Sequence, residues 1–226
     1  MQQFDELFNG RFYHIYNQGI NGCDLFSDPA TYQHFMALYD RFIYPIADTF
    51  AWVLMRNHFH LLVKIKENVV YKYSGFDSSK DADRCEDNKW ETIDLLTYTN
   101  QRIDSVKMPS PQLHFSHFFN AYSRYFNKRF NRKGALFQRR FRRKIIGDES
   151  YFKNIVMYIH NNPVHHGFCE HPMEYPWSSY QSCISVKPTK LQRNQVIGWF
   201  DDLANFKLMH NGNPDIDGIE KWFDLD

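Results

Sequence analysis

The sequence predicts an α+β fold in which an antiparallel sheet of four or five strands carries helices on one or both faces. Segments 11–17, 49–55 and 58–66 are rich in β-branched, aliphatic and aromatic residues, and turn signals lie between them. Segments 29–44 and 112–129 place aromatic residues three and four positions apart, which is the spacing of an amphipathic helix. Both patterns occur within 226 residues, a length that suits one sizeable domain with elaborations or one domain plus a small appendage.

Turn and cap residues bound the N-terminal elements. Asp28 followed by Pro29 predicts an N-cap with proline at the first helical position. The helix should end ahead of Pro45, because proline disfavours helical angles at the residue before it. Arg56 and Asn57 separate two strand-like runs, so they predict a tight turn between paired strands.

The C-terminal half predicts one more strand and several helices. A weak alternation of basic and bulky residues over 136–146 predicts a basic strand. Asp148 predicts the N-cap of a helix over 149–161, which should end near Pro163. The last segment, 190–226, predicts two short helices.

The chain divides into a main domain and two acidic additions. We expect a domain over 1–186, interrupted by a polar acidic insertion at 68–111 with a short helix near 92–103. We expect a helical tail over 187–226, which holds seven acidic residues from Asp201 onward. The tail could cover a basic groove or mediate a dimer contact, and the sequence leaves both alternatives open.

Composition excludes several classes of protein. The sequence has no run of 18 or more apolar residues, so we expect no membrane span. Its first residues lack a basic region followed by an apolar stretch, so we expect no secretory signal. Four cysteines are widely spaced without a Cys-x-x-Cys pair, which favours reduced thiols in a cytoplasm over a disulfide framework.

A small net charge of +1 hides a strongly basic segment. No acidic residue occurs from 105 to 147, and ten of the 27 basic residues fall between 124 and 144. These ten are Arg124, Lys128, Arg129, Arg132, Lys133, Arg139, Arg140, Arg142, Arg143 and Lys144. A long stretch of one sign favours a polyanion site, and phosphate backbones are the commonest polyanion. The alternative is an ordinary solvated surface.

His58-Phe59-His60 is the strongest candidate for a metal site. Successive side chains of a strand point to opposite faces, so both imidazoles should project from one face while Phe59 enters the core. Neutral imidazole is the commonest protein metal ligand. The alternative is a half-buried strand whose polar face happens to carry two histidines. His14, in the first strand, is better interpreted as a structural or substrate-facing histidine than as a third ligand.

Tyr158 and Asn162 are candidates for the same site. They lie four residues apart in the predicted helix, so they share one helix face. A tyrosine can attack a phosphodiester when a metal compensates the charge, and an amide oxygen can complete the coordination of two imidazoles. The alternative is that Tyr158 is a core aromatic residue. Tyr122, Tyr125 and Tyr151 lack an amide or carboxylate four residues on.

Five landmarks in order resemble the single-tyrosine HUH transposases, a family that includes the REP-associated tyrosine transposases. They are Ala51-Trp-Val-Leu-Met-Arg-Asn-His-Phe-His-Leu-Leu-Val63, Tyr125-Phe-Asn127, Leu136-Phe-Gln138, Tyr158-Ile-His-Asn-Asn-Pro-Val164 and Tyr175-Pro-Trp-Ser-Ser-Tyr180. The resemblance covers residues 8–183 without the insertion. The chain departs from the family pattern at Arg56, Phe137 and Arg139, where proline, tryptophan and glycine are common.

This resemblance implies a ferredoxin-like HUH endonuclease fold with the His58–His60 strand at its centre. It implies that Tyr158 is the nucleophile, that His58, His60 and Asn162 bind a divalent ion, Mg²⁺ or Mn²⁺, and that Gln138 joins the basic residues in binding DNA. The family cleaves single-stranded DNA beside hairpins through a 5′-phosphotyrosine link. It therefore implies a bacterial cytoplasmic protein, associated with the nucleoid when bound to DNA, that acts as a monomer or homodimer.

Three functions compete on this basis. The leading hypothesis is a metal-dependent nickase and strand-transferase for single-stranded or hairpin DNA. The second is a hairpin-binding protein of the same fold without catalysis. The third is a hydrolase in which water attacks, which the sequence disfavours because it lacks a second carboxylate cluster of the kind that two-metal nucleases use.

Overall fold

The computed structural model describes residues 6–73, 90–94, 108–138, 140–148 and 151–212. The strands in these ranges are β1 (Phe12–Gln18), β2 (Ala47–Leu54), β3 (His58–Ile65), β4 (Val69–Tyr73), β5 (Trp90–Asp94) and β6 (Arg142–Ile146). The helices are α1 (Pro29–Phe42), α2 (Pro111–Arg129), α3 (Phe152–His165), α4 (Tyr180–Ile184), α5 (Arg193–Trp199) and α6 (Leu203–His210). The predicted α+β fold is confirmed.

Four strands form an antiparallel sheet in the order β2-β3-β1-β6. The chain runs β1-α1-β2-β3-α2-β6 through it, with β4 and β5 paired as a separate ribbon. This is the split βαβ arrangement of ferredoxin-like sheets. Strand β3, which carries the two histidines, lies between β2 and β1, so the prediction that this strand is central is confirmed.

The first face of the sheet packs against α1 and α2 through an aromatic core. Phe59 of β3 meets Phe35 of α1, with ring centroids 5.3 Å apart, and Phe119 of α2 at 5.5 Å. Tyr122 of α2 is also buried there, and its hydroxyl donates to the Leu25 carbonyl. Helix α1 begins as predicted, because Asp28 accepts from the Thr31 N–H and the Thr31 hydroxyl completes a capping box.

The second face packs against α3 and the C-terminal helices. Ile155 and Ile159 of α3 share a buried cluster with Phe50 of β2 and Leu62 of β3. Phe206 of α6 joins the same cluster. The two predicted short helices after residue 190 are therefore present as α5 and α6, and they pack onto this face.

One predicted helix is wrong where the structure describes it, and one predicted strand begins later than expected. Residues 92–94, expected to begin a helix, belong to strand β5, and the rest of that predicted helix lies outside the described residues. The basic strand begins at Arg142, six residues later than expected. Arg140 has a φ of 61°, which interrupts an extended backbone. Among the described residues of 136–141, only Phe137 makes a strand-like bridge.

Helix α3 also differs from its prediction. Its N-cap is Tyr151, whose N–H donates to the Asp148 carbonyl. The helix continues through Pro163 to His165. Proline removes one helical donor, but this proline lies in the last turn, where the helix is about to end. The His166 N–H then closes the end by donating to the Asn162 carbonyl.

No described helix is long and apolar enough to cross a membrane.

Candidate active site

Strand β3 and helix α3 bring the four predicted site residues together. His58 and His60 project from the second face of the sheet, the face that α3 covers, while Phe59 between them is buried in the aromatic core. Helix α3 presents Tyr158 and Asn162 toward this pair, because residues four apart share a helix face. All four side chains line one pocket.

Asn162 is in direct contact with the first histidine. Its Oδ1 lies 2.9 Å from His58 Nε2, while Asn57 Oδ1 lies 2.8 Å from the other ring nitrogen, Nδ1. The Nδ2 of Asn162 is buried and, among the described residues, has no hydrogen-bond partner. An unpaired buried donor costs about 1–3 kcal/mol, so an acceptor on a bound ligand would stabilise this side chain.

Tyr158 packs beside the second histidine. Its ring centroid lies 5.2 Å from that of His60, with the planes nearly perpendicular at 81°. The side chain is only 2% exposed, although it lines the pocket. The Tyr158 side chain therefore belongs to the wall of the pocket but is almost entirely covered by neighbouring residues.

His14 reaches the same group from strand β1. Its Nε2 lies 3.0 Å from His60 Nδ1, and both rings are buried. Because His14 holds Nδ1 of His60, the other ring nitrogen of His60, Nε2, can bind a metal. Such a hydrogen bond to the second ring nitrogen fixes the orientation of histidine ligands in metal sites. This agrees with the interpretation of His14 as a structural histidine. The even-numbered residues of β1 point to the same face of the sheet as His58 and His60. This alternation is the sequence feature that could have indicated the position of His14.

The pocket has a volume of about 560 Å³ and opens beside the histidine pair. Residues that the sequence analysis did not select also line it, and they are Tyr16, Asn17, Gln18, Asp24, Arg56, Asn57, His166 and Phe168. His166 follows Asn162 by four residues and Tyr158 by eight, so the helical period could have found it. Asp24 and Arg56 form an ion pair with a distance of 2.8 Å, which no sequence pattern indicated.

The donor atoms around His58 fit a divalent cation. A neutral imidazole carries one N–H, so His58 can donate to only one of the two amide oxygens that face it. If His58 donates from Nδ1 to the Asn57 oxygen, then Nε2 and the Asn162 oxygen face each other with lone pairs. Both atoms could then act as ligands of a cation. Adjacent ligands of an octahedral ion with bonds of ~2.1 Å are about 3.0 Å apart. The observed separation between Nε2 and the Asn162 oxygen is 2.9 Å.

Asn162 is the side chain that makes this group a candidate metal site. Within the described parts of the chain, no three His, Cys, Asp or Glu side chains come together as a metal-binding group. Two imidazoles alone would leave a divalent ion under-coordinated, and an amide oxygen is a suitable third ligand for a hard cation.

Burial keeps the site histidines neutral near pH 7. It lowers the pKa of His58 to about 4 and the pKa of His14 to about 3. It also lowers the pKa of His60 well below its usual value, and the neighbouring histidines add to that shift. Metal ligands must be deprotonated, so the pair is in the protonation state that coordination requires.

Three predicted DNA-binding residues lie on the histidine side of the sheet. Gln138 and Arg142 line the pocket, and the Arg142 guanidinium lies over the Tyr16 ring, 5.9 Å from its centroid. Lys144 stands opposite His14 in the β1–β6 register, so it shares that face. These residues can contact a polyanion that enters the pocket.

Arg143 lies on the other face. It stands opposite Ile15, whose side chain is in the aromatic core, and its guanidinium lies 4.9 Å from the Phe141 ring centroid. The alternation of the strand therefore separates Arg143 from its two basic neighbours.

The other predicted DNA-binding residues that the structure describes do not line the pocket. Arg129 pairs with Asp28 at the start of α1, and Arg132 donates to the Ala135 carbonyl, so both stabilise the fold. Arg129 is nevertheless exposed, as are Arg124, Lys128, Lys133 and Arg140. Arg139 lies outside the described residues.

The fold is similar to that of a solved structure, a REP-associated tyrosine transposase bound to a REP hairpin. The TM-score is 0.51 at 15% sequence identity, and the match covers 83% of this chain and 89% of that chain. The likeness shows a shared fold, with a four-stranded antiparallel sheet among helices. Comparisons with family models and with curated proteins found no match.

Proposed function

We propose that this chain is a transposase-like enzyme that nicks and rejoins single-stranded DNA beside hairpins, with a divalent metal and Tyr158 as nucleophile. One observation carries the proposal, namely that Tyr158 and Asn162 of α3 meet His58 and His60 of β3 in one pocket. The fold likeness to a transposase bound to a hairpin supports DNA as the substrate class. The five sequence landmarks support the same reaction.

In the proposed reaction the phenolic oxygen of Tyr158 attacks a backbone phosphorus. A bond forms between that oxygen and phosphorus while the bond from phosphorus to the 3′ oxygen breaks. The phenolic proton is released to solvent, and the departing 3′ oxygen takes up a proton, so a 5′-phosphotyrosine and a 3′-hydroxyl result. A 3′-hydroxyl can later attack the phosphotyrosine and release Tyr158, so strands rejoin without an external energy source.

His58, His60 and Asn162 would hold the ion, Mg²⁺ or Mn²⁺. When bound, it supplies Lewis-acid polarisation of the scissile phosphate and offsets its negative charge. Asn57 and His14 hold the second ring nitrogens of His58 and His60 in this proposal, which fixes the orientation of both rings.

The DNA backbone would lie along the histidine side of the sheet. Arg142 and Lys144 offer positive charge there, and Gln138 offers an amide at the rim of the pocket. Phe168 lines the pocket and is 53% exposed, and an exposed aromatic ring can stack on an unpaired base. These contacts suit single-stranded DNA better than a duplex, whose bases are already stacked.

Covalent capture tests the proposal. Purified protein is mixed with labelled hairpin DNA carrying a single-stranded flank, with Mg²⁺, Mn²⁺ or EDTA, and the adduct is resolved under denaturing conditions. We expect an adduct that needs the metal, maps to Tyr158 by peptide analysis and is absent in Tyr158→Phe. Tyr151→Phe, at the N-cap of the same helix, is the matched control and should retain the adduct. An adduct that persists in Tyr158→Phe would refute the assigned nucleophile.

One observation favours a second candidate, a hairpin-binding protein without catalysis. Tyr158 is only 2% exposed, so the phenol must become more accessible before it can reach phosphorus. This candidate predicts tight hairpin binding with no adduct under any metal condition. The same assay with a binding measurement therefore distinguishes the two functions.

A further inference from the structure

Helix α3 carries a buried histidine between its two proposed site residues. His160 is two positions after Tyr158 and two before Asn162, so at ~100° per residue it projects away from the pocket. It is 0% exposed, and its ring lies beside that of His210 on α6, with centroids 5.1 Å apart. His210 is 1% exposed. Neither histidine lines the pocket or serves the proposed reaction directly.

A continuous chain of hydrogen bonds runs through this pair. The Trp52 N–H of β2 donates to Ser179 Oγ at 2.8 Å, and Ser179 Oγ lies 2.8 Å from His160 Nε2. His160 Nδ1 lies 3.0 Å from His210 Nε2, and His210 Nδ1 lies 2.7 Å from the Phe206 carbonyl. The chain connects β2, the residue before α4, helix α3 and helix α6.

One set of donors satisfies every hydrogen bond in this chain when each of the two buried rings carries one proton. The Phe206 carbonyl can only accept, so His210 donates from Nδ1 and accepts at Nε2. His160 must then donate from Nδ1 and accept at Nε2 from the Ser179 hydroxyl. All the hydrogen-bonding atoms of both rings are satisfied in one arrangement.

We propose that α6 positions the reactive helix, and that His210, acting through His160, sets the rotation of α3 and hence the direction of Tyr158 and Asn162. Apolar packing alone tolerates small rotations of a helix, because its contacts have no preferred direction. A satisfied buried polar network specifies a single arrangement. The inference rests on the proposed function for its effect on the reaction, and on the hydrogen bonds for the coupling itself.

A small rotation is enough to matter. Turning a helix by ~10° moves a side-chain tip ~6 Å from the axis by about 1 Å. A displacement of about 1 Å in a reacting group can cost up to about 100-fold in rate. A positioning role therefore predicts a loss in the rate of bond formation with little change in DNA affinity.

Two substitutions at His210 separate positioning from packing. His210→Gln keeps an acceptor near the Nε2 position for the His160 N–H, whereas His210→Asn keeps only the donor toward Phe206 and breaks the link. We expect His210→Asn to slow adduct formation by DNA-bound protein tenfold to 100-fold while its Kd for the hairpin stays within twofold. His210→Gln should stay within threefold of the parent. Leu208→Ala, at a 68% exposed position of the same helix, should change neither quantity.

A second measurement does not depend on catalysis. The protein is labelled with ¹³C at the ζ carbon of tyrosine, and the Tyr158 signal is assigned by its loss in Tyr158→Phe. We expect this signal to shift in His210→Asn and to stay in place in His210→Gln and Leu208→Ala. If His210→Asn does not fold, Ser179→Ala breaks the network at its other end and replaces it in both measurements.

The outcomes separate the two proposals. A shifted signal in a protein that never forms an adduct supports the coupling and refutes the proposed function. Adduct formation and a Tyr158 signal that are both unchanged in His210→Asn refute the positioning role and leave the proposed function intact. Equal losses in His210→Asn and His210→Gln also refute it, since they would reflect packing rather than the link to His160.

Discussion

The two faces of the sheet are built from different chemistry. On the first face, Phe59 packs among the aromatic rings of α1 and α2. On the second face, His58 contacts Asn162, His60 packs beside Tyr158, and a fully buried polar network lies behind α3. Both faces belong to the same four strands, so adjacent residues of one strand serve different purposes.

The difference indicates which face contributes more to the stability of the fold. Burial of apolar surface contributes about 25 cal/mol per Å², and the aromatic face obtains that contribution without polar groups to satisfy. Buried histidines stabilise less, because each ring must lose its water and find partners. Such violations of simple core packing are expected at functional sites.

Phe59 and His60 offer the strongest test of this comparison, because they are neighbours on β3 that point to opposite faces. Phe59→Ala should lower the free energy of unfolding by about 3–5 kcal/mol, the usual cost of emptying an aromatic core position. His60→Asn keeps an atom near Nδ1 for His14 and should cost less stability, while it abolishes metal-dependent adduct formation. Chemical denaturation and covalent capture measure the two effects.

The comparison would be wrong if the effects were exchanged. Retained Mg²⁺-dependent adduct formation in His60→Asn would remove His60 from the metal site. A small stability loss in Phe59→Ala would mean that the aromatic face is not the main source of stability. Phe130→Ala, at a 39% exposed ring beyond α2, is the control for loss of an aromatic side chain at the surface.

Acid should destabilise the protein mainly through the second face. The pKa of His14 is lowered to about 3 by burial, and unfolded histidine titrates near ~6.5. Between these values the unfolded chain binds a proton that the folded chain refuses, so stability falls as pH falls from ~6.5 toward ~3, by up to about 1.4 kcal/mol per pH unit. His14→Gln should make this slope shallower in urea denaturation with EDTA.

His34 supplies the control on the first face. Burial also lowers its pKa, but the side chain is only partly buried. His34→Gln should therefore change the acid slope less than His14→Gln. Equal changes in the two variants would contradict the assignment of acid sensitivity to the histidine face.

Much of the site followed from periodicity in the sequence. Alternation along β3 predicted that His58 and His60 share a face, and the four-residue spacing predicted that Tyr158 and Asn162 share another. The centre of the sheet was predictable because its strands are short apolar runs with clear turns. These are local properties, and local spacing is enough to determine them.

The rest depended on contacts between distant segments. Nothing in the sequence pairs His14 with His60 or His160 with His210, which are 46 and 50 residues apart. The late start of β6 follows from the positive φ of Arg140, a backbone conformation that arginine rarely adopts. Counting charges likewise could not show that the basic residues of 124–144 lie on both faces of the sheet and near the ends of helices.

Arg142 and Arg143 carry the comparison of faces into DNA binding. Arg142 lines the pocket, whereas Arg143 lies over Phe141 on the opposite face. Arg142→Ala should weaken hairpin binding about tenfold and reduce the salt dependence of log K by about one unit, because one phosphate contact is lost. Arg143→Ala should weaken it less than threefold. Fluorescence titrations across a range of salt concentrations measure both, and equal losses would contradict the separation by face.

Arg129 gives the smallest expected effect and tests the first face alone. Its guanidinium bonds to Asp28, the N-cap of α1, at 2.7 Å, and this hydrogen bond lowers the pKa of the Asp28 carboxyl. Arg129→Ala should therefore raise the Asp28 pKa toward its usual value, as measured by NMR titration.

The same substitution changes how stability depends on pH. The stabilising effect of the charged Asp28 cap is present above the pKa of Asp28 in the unfolded chain and is lost as pH falls through its pKa in the folded protein. The variant should therefore lose this stabilisation at a higher pH. Lys128→Ala, the exposed neighbour, should leave the Asp28 titration unchanged, because the ion pair with that carboxyl is formed by Arg129 and not by Lys128. If both variants weakened DNA binding equally and neither moved the Asp28 titration, Arg129 would belong to the DNA-binding surface rather than to the start of α1.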